Sequence, residues 1–254
     1  MNVKEPIFTA SADDLRLLQV DIDTCFVMAA SGRIERVNDP DRSPAPRAFL
    51  TGCPFGNIAC VRYDVDERVA RRVVEAAAKE PPWRDPDVTP GCVGEIVELL
   101  SGDKPAEAAQ YLIYKLPNGL GYDHPAAIVR GDSAEGRTML ARFAERGMPD
   151  YMRDAGFKGV GDLWEPWCVA LDRTQVASMA FAARLGKMGA EVGVYTFAKY
   201  RGQGLAAAVT AAWSSMPSLN NRELFYSTHI TNRSSQRVAA RLGLRLIGAS
   251  VSIG

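Results

Sequence analysis

The chain has 254 residues, enough to bury a substantial core in one large domain or two small ones. Thirty Lys and Arg balance thirty Asp and Glu, so no global field draws the protein to nucleic acid or to an anionic membrane. No apolar run reaches membrane-spanning length, and the opening stretch "MNVKEPIFTASADDL" lacks the apolar core of a secretory leader, so a soluble, cytoplasmic protein is expected. Five widely spaced cysteines (Cys25, Cys53, Cys60, Cys92, Cys168) form no CxxC pair, which argues against a disulfide framework or a zinc site and predicts small buried hydrophobes.

In chain order, "TCFVMAASGRIERVND" reads as a hairpin turning at Ser31-Gly32, and "GNIACVRYDV" as a strand. "DERVARRVVEAAAKE" has the spacing of an amphipathic helix, and "AAQYLIYKL" reads as another strand. The proline-rich stretches "NDPDRSPAPR" and "EPPWRDPDVTPG" have no regular period and read as connections. The first of these, with Arg42, Pro44, Pro46 and Arg47, is a candidate cover for an active site. "LPNGLGYDHP" (116–125) is the expected boundary, with His124 a linker residue, dividing an N-terminal α/β domain (1–125) from a second domain (126–254).

Beyond it, "AAIVR" is a candidate strand, and 133–147 a helix that Ser133 caps. A second short helix begins after Pro149. "WCVALD", "VASMAFAARL" and "EVGVYTF" then read as an antiparallel meander, the last strand following a Gly189-Ala190 turn. Tryptophans Trp164 and Trp167 flank its start and are expected to close a core. After the glycines at 202 and 204, Leu205, Val209, Ala212 and Trp213 repeat at helical spacing, and the alanines allow close approach to a sheet. "LFYSTHI" is the next strand, with His229 a satisfied strand histidine. A helix capped by Asn232 and stopped at Gly243 follows, and "LRLIGASVSI" is the last strand.

The glycine turn Arg201-Gly202-Gln203-Gly204 suits an anion, because glycines leave backbone amides uncovered at a helix start. A triphosphatase loop would need Lys and Ser or Thr after the last glycine, where Leu205 and Ala206 stand. A dinucleotide site would need an acidic residue at the end of the next strand, which instead ends in His229-Ile230-Thr231. Arg201 to Ala206 reads RxxGxA, which resembles the coenzyme A pyrophosphate loop of the GNAT N-acetyltransferase superfamily. "NRSSQRVAARLGL" is similar to that family's last helix, and the order of elements from 126 to 254 is the family order.

The resemblance implies a GNAT-type mixed, mainly antiparallel sheet flanked by helices, preceded by a second α/β domain whose mixed content allows a degenerate half-copy of the same fold. It implies an N-acyltransferase using acetyl-CoA and an amine acceptor, with no metal, nucleic acid or membrane. The alternative is a non-catalytic, coenzyme A-binding or regulatory module. Val194, Tyr195 and Thr196 would pair with the pantetheine arm, and Arg201, Gly202, Gln203, Gly204, Leu205 and Ala206 would hold the pyrophosphate. Asn232 and Ser235 would lie beside the cofactor. Arg237 and Arg241 would reach the adenosine phosphate or form a solvated face. Glu191 is the candidate base, or else a solvated residue at a strand end. Ala239 stands where the family often has a proton-donating Tyr, leaving Tyr226, Ser227 or a water for that role. Finally, such domains close with two strands, and the eleven residues after Gly243 make one. The N-terminal half, through "TCFVMAA" or "AAQYLIYKL", or a second copy in a homodimer, is expected to supply the other.

Overall fold

The computed structural model describes residues 11–102 and 105–254; the leader reading of the first ten residues lies outside it. Eleven strands and seven α-helices follow in the order α1 (Asp14–Cys25), β1 (Phe26–Met28), β2 (Ile34–Val37), β3 (Ala48–Cys53), β4 (Gly56–Val61), α2 (Glu67–Ala78), α3 (Cys92–Leu100), β5 (Ala108–Leu116), β6 (Ala127–Arg130), α4 (Ala134–Arg146), α5 (Asp150–Arg153), β7 (Trp167–Asp172), β8 (Gln175–Leu185), β9 (Gly189–Thr196), α6 (Leu205–Ser214), β10 (Glu223–His229), α7 (Arg233–Arg241) and β11 (Arg245–Ile253). β1 and β2 form a separate ribbon. The other nine strands join one sheet in the order β4-β3-β11-β5-β10-β9-β8-β7-β6, antiparallel except where β9 meets β10. It is therefore a mixed, mainly antiparallel sheet, and it is flanked by helices.

Local chemistry accounts for the elements. Asp66 caps α2 by accepting from the amides of Arg68 and Val69, and Ala70, Val73, Ala76 and Ala77 recur at helical spacing on its buried side. Ser133 caps α4 through the Gly136 amide. Gly243, at φ +64°, ends α7 in the left-handed conformation that costs glycine nothing.

β5 organises the sheet. Leu112, Ile113, Tyr114 and Leu116 are all buried, the pattern of a strand covered on both faces. It pairs antiparallel with β10 (Tyr114 opposite Tyr226) and with β11 (Leu112 opposite Ala249). The strand lacking after Gly243 is thus "AAQYLIYKL", inserted between β10 and β11 from the N-terminal side of residue 125. The other candidate, "TCFVMAA", ends α1 and pairs its Phe26–Met28 with β2. Strands from both sides of the expected boundary share one sheet.

Alternation divides the two faces. Cys168 donates its thiol to the Val209 carbonyl of α6, so even-numbered β7 residues face α6. Trp167 and its partner Phe181 face the other way, where Phe181 meets Trp164 and Phe157. α1 covers that second face farther along, with Leu17 and Leu18 packed on Ile113, Phe225 and Ile247.

Three elements escape the sequence pattern: α1, β3 and α3. The Gly189-Ala190 turn is also corrected, because both residues begin β9 and the reversal lies at Gly186–Met188. Gly189 is small for another reason: a Cβ there would stand 2.2 Å from Thr24 Oγ1 and 3.0 Å from Phe225 Cε2.

Candidate functional site

β9 and β10 run parallel for only three residue pairs, Gly189 with Glu223, Ala190 with Leu224 and Glu191 with Phe225. β9 then follows β8 as far as Thr196 opposite Ser178, while β10 follows β5 as far as His229 opposite Tyr111. The strands diverge, and the β10-facing edge of residues 192–196 is left without a strand partner.

At the wide end of this gap the chain enters the glycine turn. Gly202 (φ +78°) and Gly204 (φ +84°) both occupy the left-handed region. α6 begins directly after, with no side chain capping it, so its first-turn amides and the positive end of its dipole face whatever lies in front. The 117–125 segment straps this helix down. Gly119 N–H donates to the Ser214 carbonyl (2.9 Å) and Leu120 N–H to Ser214 Oγ (3.1 Å). His124, expected to be a linker residue, reaches the turn itself. Ala126 N–H donates to its Nδ1 (3.1 Å), which leaves Nε2 to donate to the Gln203 carbonyl at 2.9 Å.

A cavity of ≈ 480 Å³ occupies the gap. It gathers Val194, Tyr195 and Thr196 from β9, Arg201, Gly202, Gly204, Leu205 and Ala206 from the turn, Tyr226 from β10, and Asn232 and Ser235 from α7. Gln203 is not in the lining and is exposed, its carbonyl held by His124. Tyr200 and Ser234, which the pattern did not single out, also line it, as do Arg237 and Arg241. No carboxylate lines the cavity, and its three guanidiniums, Arg201, Arg237 and Arg241, join no ion pair among the described residues.

Tyr226 is 3% exposed, and its hydroxyl lies 2.8 Å from Ser235 Oγ. The Ser235 amide in turn donates to Asn232 Oδ1 (3.1 Å), so the start of α7 positions the phenol. Burial pushes the Tyr226 phenol up from its ordinary pKa, against a smaller opposing effect of the Ser235 hydrogen bond. Ala239 is fully buried and offers no donor.

Glu191 and Ser227 lie outside this cavity. Alternation along β9 puts Glu191, Gly193 and Tyr195 on the face opposite Val192 and Val194, and Ser227 shares that face with Phe225. There the Cys25 thiol of α1 stands 3.8 Å from both Glu191 Oε2 and Asp21 Oδ1. Cys25 is half-buried beside two carboxyls, and burial, reinforced by the Asp21 and Glu191 charges, holds its thiol well above the usual range. Asp21, 2% exposed, is likewise pushed well up by burial and by the Glu191 charge.

That shift has a thermodynamic consequence. The folded chain holds the Asp21 proton more tightly than the unfolded chain, so stability falls as pH rises past the ordinary carboxylate range, by about 1.4 kcal/mol per unit until the folded group ionises. Asp21→Asn keeps the shape without the charge. It is expected to melt above the parent at pH 7, by a margin that shrinks towards pH 4; a lower melting temperature at pH 7 would contradict this.

Against known proteins, residues 167–249 match the family model described as GNAT acetyltransferase. No curated protein matches the chain. Among solved structures, a GCN5-related N-acetyltransferase-like protein from Streptococcus suis is 19% identical, with TM-score 0.46 over 85% of this chain and 86% of its own. An acetyltransferase of the GNAT family from Colwellia psychrerythraea is 12% identical, with TM-score 0.43 over 96% of each chain. A GNAT-family protein from Novosphingobium aromaticivorans is 20% identical, with TM-score 0.41 over 58% of this chain; the match spans 64% of its own length. These likenesses bear on neither substrate nor mechanism.

Proposed function

We propose, from the match of residues 167–249 to the GNAT acetyltransferase family model, that the chain is an N-acyltransferase moving an acetyl group from acetyl-CoA to a primary amine. The observation that carries this is the cavity between diverging β9 and β10, which has three guanidiniums in no ion pair among the described residues, no carboxylate in its lining and a helix N-terminus behind two left-handed glycines. Such a site favours a polyanion with a narrow, amide-bearing arm, the shape of coenzyme A. The open edge of residues 192–196 offers backbone groups to the pantetheine amides.

Acetyl-CoA supplies the thioester. The amine nitrogen attacks its carbonyl carbon, the C–N bond forms, the C–S bond breaks, and the thiolate leaves and takes a proton. Tyr226, buried and held protonated on the cavity side, is placed to give that proton. Glu191, on the opposite face, takes the proton that the ammonium loses before attack, directly or through water, and the second N–H proton, shed as the amide forms, restores the Tyr226 phenol. Ser227 shares the face of Glu191 and serves as a polar contact for the incoming amine rather than as the acid.

Thiol release from acetyl-CoA with a panel of primary amines tests this: amine-dependent release supports it, and tight coenzyme A binding without release with any amine favours the non-catalytic alternative. Gly204 provides a second test. A Cβ there would meet Arg241 Nη1 at 3.0 Å and Tyr122 Oη at 3.3 Å, in a backbone conformation that strains any β-branched residue. Gly204→Val is expected to weaken acetyl-CoA binding by roughly tenfold or more, because each lost charge-assisted hydrogen bond is worth about 1.5 to 3 kcal/mol. Parent-like affinity in the folded variant, read by calorimetry, would remove the turn from the site.

A further inference from the structure

The face of β9 turned away from the cavity carries both Glu191 and a row of aromatic rings. Trp164 and Phe181 stand 6.0 Å apart between centroids, Phe181 and Phe157 6.3 Å, and Phe157 and Tyr195 5.5 Å, each pair edge to face and every ring half-buried. Phe181 lies across Gly193, where a Cβ would fall 2.6 Å from its Cε2, so the ring occupies the place between Glu191 and Tyr195 where a side chain would stand. At its far end the row enters an apolar cavity of ≈ 530 Å³, whose lining includes Trp164, Trp167, Leu140, Val160 and Pro40. Pro40 belongs to the proline-rich stretch, which Asn38 ties to the end of β8 by donating to the Leu185 carbonyl (3.2 Å). Trp167 is fully buried and its Nε1 has no hydrogen-bond partner.

On this face Glu191 makes no ion pair among the described residues: Arg184, opposite it on β8, reaches Asp39 at 4.0 Å, and Asp21 is pushed towards its neutral form. We propose that this face is the acceptor site and that it takes a primary ammonium carried on a flat apolar body, an arylalkylamine in chemical class. This rests on the acyltransferase reading.

The pieces match that class one by one. Glu191 has no ion-pair partner among the described residues, and a half-buried negative charge is costly until it is paired. Ring faces attract an ammonium through their quadrupole and give a flat body an apolar bed. A second ammonium farther along an extended polyamine would reach the apolar cavity, whose lining has no carboxylate but exposed Glu165. An amino acid's α-carboxylate would meet Arg184 only in competition with Asp39.

Calorimetry on the full chain with coenzyme A present, using 2-phenylethylamine, ethylamine, 2-phenylethanol and spermidine, tests the proposal. 2-Phenylethylamine is expected to bind about tenfold or more tighter than ethylamine, which lacks the ring, and than 2-phenylethanol, which lacks the charge. Phe181→Leu, with its coenzyme A affinity unchanged as the check on folding, is expected to lose most of that advantage. Equal affinities for ethylamine and 2-phenylethylamine, tightest binding by spermidine, or an undiminished preference in Phe181→Leu would each overturn it. A chain that releases no thiol from acetyl-CoA yet shows these preferences loses the acyltransferase reading and keeps the site. One that acetylates ethylamine or spermidine with higher kcat/KM than 2-phenylethylamine keeps the reading and loses the site.

Discussion

Glu191→Gln is expected to lower turnover by about a hundredfold to ten-thousandfold while changing the KM for acetyl-CoA little. The substitution keeps the side chain's shape and its place on β9 opposite Phe225, and removes only the basicity. Acetyl-CoA binding is spared because Glu191 lies outside the cavity that would hold it. The neighbourhood sharpens the test: Cys25 and Asp21 both adjoin Glu191, and both are pushed towards their protonated forms, so neither is positioned to substitute as base at neutral pH. Steady-state kinetics at saturating amine, with a pH profile, reads the effect. An unchanged turnover number with the parent's profile would reduce Glu191 to a structural residue between α1 and β9.

Separating the two halves of the chain is expected to destroy the fold. A polypeptide of residues 126–254 lacks β5, and with it both partners of a central position: β10 loses its antiparallel neighbour and β11 loses the strand that joins it to the rest of the sheet. Two rows of amides and carbonyls become unpaired at once, and the buried Leu112, Ile113, Tyr114 and Leu116 leave a vacancy between layers of side chains. The fragment should be insoluble or unable to bind acetyl-CoA, as size-exclusion chromatography and calorimetry would report. A soluble monomer with native-like affinity would mean that β10 and β11 close directly on each other.

Much of this architecture is legible in the sequence where local pattern and tertiary environment agree. "AAQYLIYKL" is strand-prone by composition and buried on both faces in the fold, so its boundaries coincide with those of β5. The helix caps Ser133 and Asn232 likewise act through contacts within their own few residues. α1 is different: its buried side includes Asp14, Asp21 and Thr24, polar residues that break the apolar period. β3 is six residues, all buried, directly after a proline-rich stretch, too short a run to separate from a connection. α3 is nine residues with Gly94 inside it.

The cavity residues were legible for a similar reason. The glycine turn and the start of α7 are contiguous motifs, and their residues converge on one cavity. The face proposed for the acceptor was not. Cys25 and Asp21 come from α1, Phe157 from the segment after α5, and Phe181 from β8, and only the fold brings them to the face of β9 that carries Glu191. Nor does any local signal connect His124 to Gln203, since that contact spans 79 positions.

A crystal structure of the full chain with coenzyme A bound tests the central claim most directly. The account predicts the pyrophosphate against the backbone of Gly202 to Ala206, the pantetheine arm along the open edge of residues 192–196, and the thiol between the diverging strands near Tyr226. Coenzyme A bound elsewhere, or lying across the Glu191 face with the arginine-lined cavity empty, would contradict it.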